Sequence, residues 1–308
     1  MAKFLKSPSL QLVIIISFYF GFGLLAAIQA AFISPALTGY TITSLPDADT
    51  SSPNVVATWK LLSVIDTVLM FLVPALLFAR LASPSPIKWL QLDKPIRLWP
   101  VLFVLVIVLS AIPVGGFLYD WNCTWPIVKE SVKGQAQAKA ISRAMMVMPD
   151  FASLPISMLL FAAIPAIAKM CFFFGVLQNT LVRMIPKAPW IAIIITAVIF
   201  SASYYEWNWF VPMIFIGFLF GSIYYLSGNL WLSVLGNFIF ISVDWVESYL
   251  FQRGLTNEDP SHPSRTAWYM ALIGLLIIVG LVWYIRKRIP KPVVVVNDYQ
   301  EDIDLIGK

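Results

Sequence analysis

The chain has 308 residues, of which 59% are hydrophobic and only 12% charged, about half the roughly 25% of an ordinary soluble domain. With a mean hydropathy of +0.82, too little polar surface is left to cover a soluble core of this length. A soluble globular enzyme, a disordered chain and a disulfide scaffold are thereby excluded, and a polytopic membrane protein remains. The net charge of +5 records membrane topology rather than affinity for nucleic acid. One histidine, His262, rules out a multi-histidine metal site. Cys123 falls in a loop and Cys171 in a span, so no bridge between them is expected. No cofactor and no metal are expected.

A spanning helix takes about 20 apolar residues. The apolar runs predict eight of them, at 9–36, 59–82, 98–119, 154–180, 188–205, 209–227, 229–250 and 267–286. The first follows Lys3 and Lys6, and Ala27-Ile28-Gln29-Ala30 resembles a cleavage site. Its run is too long for a signal peptide, so it is expected to be retained as a helix. Within the long segment 120–153, the stretch Pro126 to Met148 is rich in helix formers and ends in Met145, Met146 and Met148. This composition predicts an amphipathic helix at the interface. The tail 289–308, with Pro290, Pro292 and four acidic residues, is expected to be cytoplasmic and loosely ordered. An N-in, C-in arrangement puts thirteen Lys and Arg inside and seven outside, and leaves the loop 37–58 without either, as the positive-inside rule requires. The organisation read this way is an N-terminal helix and loop (1–58), a transmembrane core (59–250), and a last helix with its tail (251–308).

Ionisable residues inside a span are costly and mark function by default. Four qualify: Asp66, Lys169, Asp244 and Glu247. Lys169 lies near the middle of the fourth span and needs an acidic partner, a hydrated cavity or a lowered pKa. Asp66 and Asp244 are candidate partners for a structural ion pair. A lysine base beside Ser201 or Ser203 is the catalytic alternative. Glu206-Trp207-Asn208-Trp209 fits an interfacial turn with aromatic anchors. Asp244 and Glu247 share one side of a helix and resemble a metal pair only weakly, with no histidine beside them.

A further pattern is carried by short stretches in a fixed order. These are Val73-Pro74-Ala75-Leu76-Leu77-Phe78-Ala79, Met146-Val147-Met148-Pro149, Ile164-Pro165-Ala166-Ile167, Gly175-Val176-Leu177-Gln178, Ile199-Phe200-Ser201-Ala202 and Leu226-Ser227-Gly228-Asn229-Leu230-Trp231-Leu232-Ser233. In sequence, order and spacing the region from about 59 to 250 resembles the CPBP intramembrane proteases, which include the type II CAAX prenyl endopeptidases and the Abi proteins. The resemblance implies an all-α bundle of about eight transmembrane helices. It also implies an integral protein of the bacterial inner membrane. The family's activity rests on Glu-Glu-x-x-x-Arg, Phe-x-x-x-His and His-x-x-x-Asn (or Asp) motifs. The two glutamates fall on Lys169 and Met170 and the arginine on Phe174. The first histidine falls on Tyr204, with Phe200 kept, and the last motif falls on Asn237 and Ile241.

Every polar catalytic position is therefore changed. A cationic Lys169 cannot replace a carboxylate base without a large pKa shift, and Met170 and Phe174 carry no proton. Tyr204 and Asn237 keep hydrogen-bond donors, so half of an oxyanion site is retained. The expected function is a catalytically inactive member, a pseudoenzyme in a membrane complex. It acts as scaffold or subunit, binding a membrane protein or a lipidated peptide within the bilayer. Two alternatives are a membrane hydrolase using Lys169, Tyr204 and Asn237, and a transporter with Asp66, Lys169 and Asp244 along its path.

Overall fold

The computed structural model of the chain describes residues 7–126, 128, 136–257 and 265–288. His262, the tail 289–308 and most of 127–135 within the predicted amphipathic stretch lie outside the described residues. All eight predicted apolar helices are present: α1 (Pro8–Thr38), α2 (Pro53–Ala82), α3 (Leu98–Asn122), α5 (Ser153–Met184), α6 (Pro189–Ala202), α7 (Phe210–Ser227), α8 (Leu230–Gln252) and α9 (Trp268–Arg288), with a short amphipathic α4 (Ala136–Met145) before α5. Six are long and apolar enough to cross a membrane, α6 and α9 are shorter apolar helices, and there is no strand among the described residues. This is a polytopic helical membrane protein. The side carrying both described chain ends is called the terminal side below, and the opposite one the far side.

Local chemistry sets the helix ends. Pro8, Pro53 and Pro189 stand in the first turns of α1, α2 and α6, where a missing N–H costs nothing. Gly39 and Gly228 close α1 and α7 in the left-handed region that glycine alone adopts freely. Asn229 Oδ1 accepts from the Trp231 N–H at 3.1 Å and caps α8. Asp150 accepts from the Ser153 N–H and hydroxyl ahead of α5. The Ser153 hydroxyl bond holds the Asp150 carboxyl below the usual carboxylate range.

Two helices carry a widened i→i+5 turn immediately before a proline. The Val73 N–H bonds to Val68 O ahead of Pro74, and the Ile164 N–H to Leu159 O ahead of Pro165. A proline ring clashes with the carbonyl four residues back, and a wide turn relieves that clash without breaking the helix. A third wide stretch, Met170–Gln178, has no proline and coincides with the aromatic run of α5.

Helix α5 is the hub: 56% of its apolar window is buried, against 17% for α1. It packs along α8 and against α2 and α6, while α3 joins α7, α8 and α9. One continuous core runs through α2, α3, α5, α6, α7 and α8. A second small one, Ala30, Leu45, Ala48, Val55 and Leu62, ties the 39–52 loop between α1 and α2 on the far side. The many exposed large apolar residues, such as Phe20, Phe32, Trp99 and Leu276, are the expected lipid-facing surface.

Close approach of α6 and α7 depends on Gly217. A Cβ there would sit 2.8 Å from Phe200 Cδ1 and 3.2 Å from Ala197 Cα, so backbone as well as side chain stands in the way. Gly217→Leu is expected to lower stability by about 1–3 kcal/mol through overpacking. At Gly280, where a Cβ meets nothing within 4 Å, the same change should be nearly silent. Thermal unfolding of both variants in one detergent reads the difference.

Candidate functional site

The site begins with a helix that is too short. α6 has 14 residues, or ~21 Å of rise, against a hydrocarbon core of ~30 Å. Its neighbours α5 and α8 run to 32 and 23 residues. By this length the turn 203–206 lies short of the far ends of α5 and α8, and the region beside it is called the well below. The sequence predicts this helix through 205, and the structure ends it at Ala202. Two hydroxyls account for the early stop: Ser203 donates to Phe200 O at 2.7 Å, and Ser201 donates to Phe210 O at 2.6 Å, drawing the start of α7 down onto α6. Tyr205 then takes a φ of 56°, a left-handed conformation that strains a non-glycine residue.

At the floor, Lys169 lies with Nζ 3.5 Å from the centroid of the Tyr204 ring and 5.8 Å from that of Phe71. The positions that stand for the family's glutamate and first histidine thus meet, as a cation on an aromatic face. Such a contact is worth ~0.5–2 kcal/mol, more as water is removed. The expected ion pair with Asp66 or Asp244 is not formed. Asp66 instead accepts from Gln29 Nε2 at 3.1 Å, tying α1 to α2. No ion pair or hydrogen bond reaches Lys169 among the described residues, and its nearest electrostatic counterpart is Glu206. Ser201 and Ser203, the serines of the catalytic alternative, donate their hydroxyls to backbone carbonyls rather than to Lys169.

Glu206, Asp244 and Glu247 line the same well. Glu206 and Asp244 both lie within electrostatic reach of Tyr204, and Asp244 within reach of Glu206 and Glu247. All three keep exposed surface, while Lys169 and Tyr204 are half-buried. No group of three or more metal-type ligands occurs among the described residues.

Beneath the floor the helices close completely. Met170 and Phe174, the positions of the second glutamate and the arginine, are fully buried. Phe174 lies 5.5 Å from Phe200 between ring centroids, and Phe200 lies 5.4 Å from Phe173 and 5.3 Å from Tyr204. Phe172, Phe173 and Phe71 extend the cluster with centroids 5.2–5.7 Å apart. Gly221 on α7 makes the room: a Cβ there would stand 3.2 Å from Phe174 Cε1. Phe173, Phe174 and Phe200 are each buried to 1% exposure or less, so this layer is packed as a protein interior is. Asn237 is 1% exposed and its Nδ2 has no acceptor, so it sits inside the packed bundle rather than at the surface of the well. Ile241, the last of the carried positions, is half-buried on the same helix.

The methionine segment does not stand free. Met148 is buried, its N–H donates to Gln252 Oε1 at 2.8 Å, and Gln252 Nε2 donates back to Met146 O at 2.9 Å. Arg253 adds a bond to Pro149 O at 2.7 Å. The segment is a strap clipped to the far end of α8 beside the well. Tyr19, Phe71 and Tyr205 are the site residues that the sequence does not disclose. Tyr19 and Tyr205 meet hydroxyl to hydroxyl at 3.2 Å over 186 positions of chain, and neither the strained φ nor that pairing leaves a mark such as glycine or asparagine.

The floor, the plug and one wall of the well fall within one segment. Residues 151–242 match the family described as type II CAAX prenyl endopeptidase Rce1-like. No curated protein and no solved structure matches the chain.

Proposed function

We infer, from the match of residues 151–242 to the type II CAAX prenyl endopeptidase Rce1-like family, that this chain is a non-catalytic member that holds a ligand instead of cutting it. One observation carries this reading: the glutamate position is a lysine resting on the Tyr204 ring, above a fully packed layer of Met170 and Phe174. Water activation needs a base in reach of the scissile carbonyl. The carboxylates of the well, Glu206 and Asp244, come from a turn and from the far half of α8 rather than from the motif positions. The ligand is a segment of another membrane protein or a lipidated peptide. It is received in the well with the aromatic and methionine surfaces around it. The protein is then a subunit of a membrane complex, placed in the bacterial inner membrane with both termini in the cytoplasm.

A transporter is the weaker reading, since the aromatic layer blocks any path past Lys169. A photocrosslinker at Tyr204, Glu206 or Asp244 in native membranes tests the proposal. One discrete protein adduct is expected, absent when the crosslinker is placed at the lipid-facing Phe32. Adducts to lipid alone at all three sites would end the scaffold reading.

A further inference from the structure

On the terminal side one connector is held more firmly than a link between two spans requires. Residues 83–97 join α2 to α3 through a single helical turn, Pro86–Trp89. Trp89 and Leu90 anchor this turn in the core. The rest of the connector is fastened to the start of α8. The Trp231 Nε1–H donates to Leu92 O at 2.8 Å, Asn229 Nδ2 to Pro95 O at 3.3 Å, and the Leu230 N–H to Gln91 O at 3.4 Å. Gln91 is buried and holds a φ of 56°. A left-handed non-glycine residue persists only where its surroundings impose it, and such strain collects at working sites.

The fastening gathers positive charge. From Arg80 to Trp99 the chain carries Arg80, Lys88, Lys94 and Arg97 against one acid, Asp93. The turn 183–189 between α5 and α6 adds Arg183 and Lys187 and no acid. A Cβ at Gly228 would lie 3.0 Å from Lys94 Nζ, so that ammonium sits over the turn between α7 and α8. The Arg183 guanidinium lies 5.4 Å from the centroid of the Trp89 ring, which brings the end of α5 to the same connector. No hydrogen bond or ion pair engages the Lys94 ammonium among the described residues. Large apolar side chains stand among these cations: Ile87, Ile96, Leu98 and Trp99 are each half or more exposed. Cations that meet phosphate, next to aromatic and aliphatic groups that meet acyl chains, make a surface suited to the headgroup level of a bilayer.

We propose that the connector 83–97 is a seat for an anionic phospholipid. Its phosphate is taken by Lys94, with Lys88 and Arg97 on the same connector, and its acyl chains lie against Leu98 and Trp99 at the start of α3. A lipid fits better than a soluble phosphate because the cations run directly into side chains that only acyl chains cover. Trp231 and Asn229 are positioning residues: they fix the connector so that its charges meet one headgroup rather than a diffuse layer. The seat lies on the opposite side of the membrane from the well and does not depend on the holding function.

The test titrates the full chain, purified in mild detergent, with phosphatidylglycerol or with phosphatidylcholine of the same acyl chains, and reads retained lipid by native mass spectrometry. Wild type should hold one phosphatidylglycerol about tenfold or more tightly than phosphatidylcholine, the worth of a charge-assisted hydrogen bond. Lys94→Gln should remove most of that preference, with unchanged thermal unfolding in lipid-free detergent. Lys187→Gln takes an equal charge from an exposed position on the same side and should alter the preference by about twofold or less. Trp231→Phe keeps the ring and every charge, removes the donor to Leu92 O, and should weaken phosphatidylglycerol severalfold while phosphatidylcholine is unchanged. No preference in wild type, or equal losses from Lys94→Gln and Lys187→Gln, would overturn the seat and leave only diffuse charge. Displacement of the retained lipid by equimolar sn-glycerol 3-phosphate would overturn it in favour of a soluble phosphate ligand.

Discussion

Restoring the family's charge at its own position is expected to damage this protein. Lys169→Glu should lower stability by about 2 kcal/mol, the worth of a cation–π contact held away from water, and should yield no peptidase activity. The variant loses the contact with the Tyr204 ring, whose face is negative and repels a carboxylate. It also adds a carboxylate within reach of Glu206. Lys169→Met keeps the volume and removes the charge, and should change stability by no more than about 1 kcal/mol, because a removed ion pays no desolvation. One variant is anionic and the other neutral, with little difference in size, so chemical unfolding of both isolates the electrostatic demand of the site. A Glu variant as stable as wild type would show that the well is already arranged for an acid.

The aromatic layer below is the second large effect. Phe174→Ala should cost about 3–5 kcal/mol, the usual range for a buried phenylalanine. The ring is fully buried, lies against Phe200, and fits over Gly221. Collapse to fill the cavity is hindered on the α6–α7 side, where Gly217 already brings backbones into contact. Phe20→Ala on the lipid face, where the side chain is 69% exposed, should change little. Urea or thermal unfolding in matched micelles compares the pair.

Much of the fold was legible from hydropathy alone. The eight apolar runs correspond to eight helices because a span has to satisfy its own backbone and has few other ways to do so. Length misled at one place: the run 188–205 reads as a full span, yet Ser201 and Ser203 turn the backbone at 202 with hydroxyl bonds that no hydropathy window registers. The wide turns before Pro74 and Pro165 leave a readable sign in the prolines, whereas the wide turn at Met170–Gln178 leaves none.

The site was legible where the resemblance supplied positions and illegible where contacts are long-range. Lys169 and Tyr204 are named by the changed motifs, and the structure brings them to 3.5 Å. The partner of Lys169 could not be chosen from sequence, because Asp66, Asp244 and Glu206 are separated from it by loops of unknown path. Asp66 is taken by Gln29 from a helix outside the matched segment. The methionine strap reads as a free amphipathic surface until Gln252 is seen to bind it through both the oxygen and the nitrogen of its side-chain amide.

The central claim is that the well binds without cutting. The direct measurement is incubation of the purified chain in nanodiscs with a prenylated CAAX peptide, with cleavage followed by mass spectrometry. The account predicts intact peptide after long incubation, for wild type and for Lys169→Met alike. A shortened peptide that accumulates with wild type and not with Lys169→Met would contradict it and make Lys169 a catalytic residue.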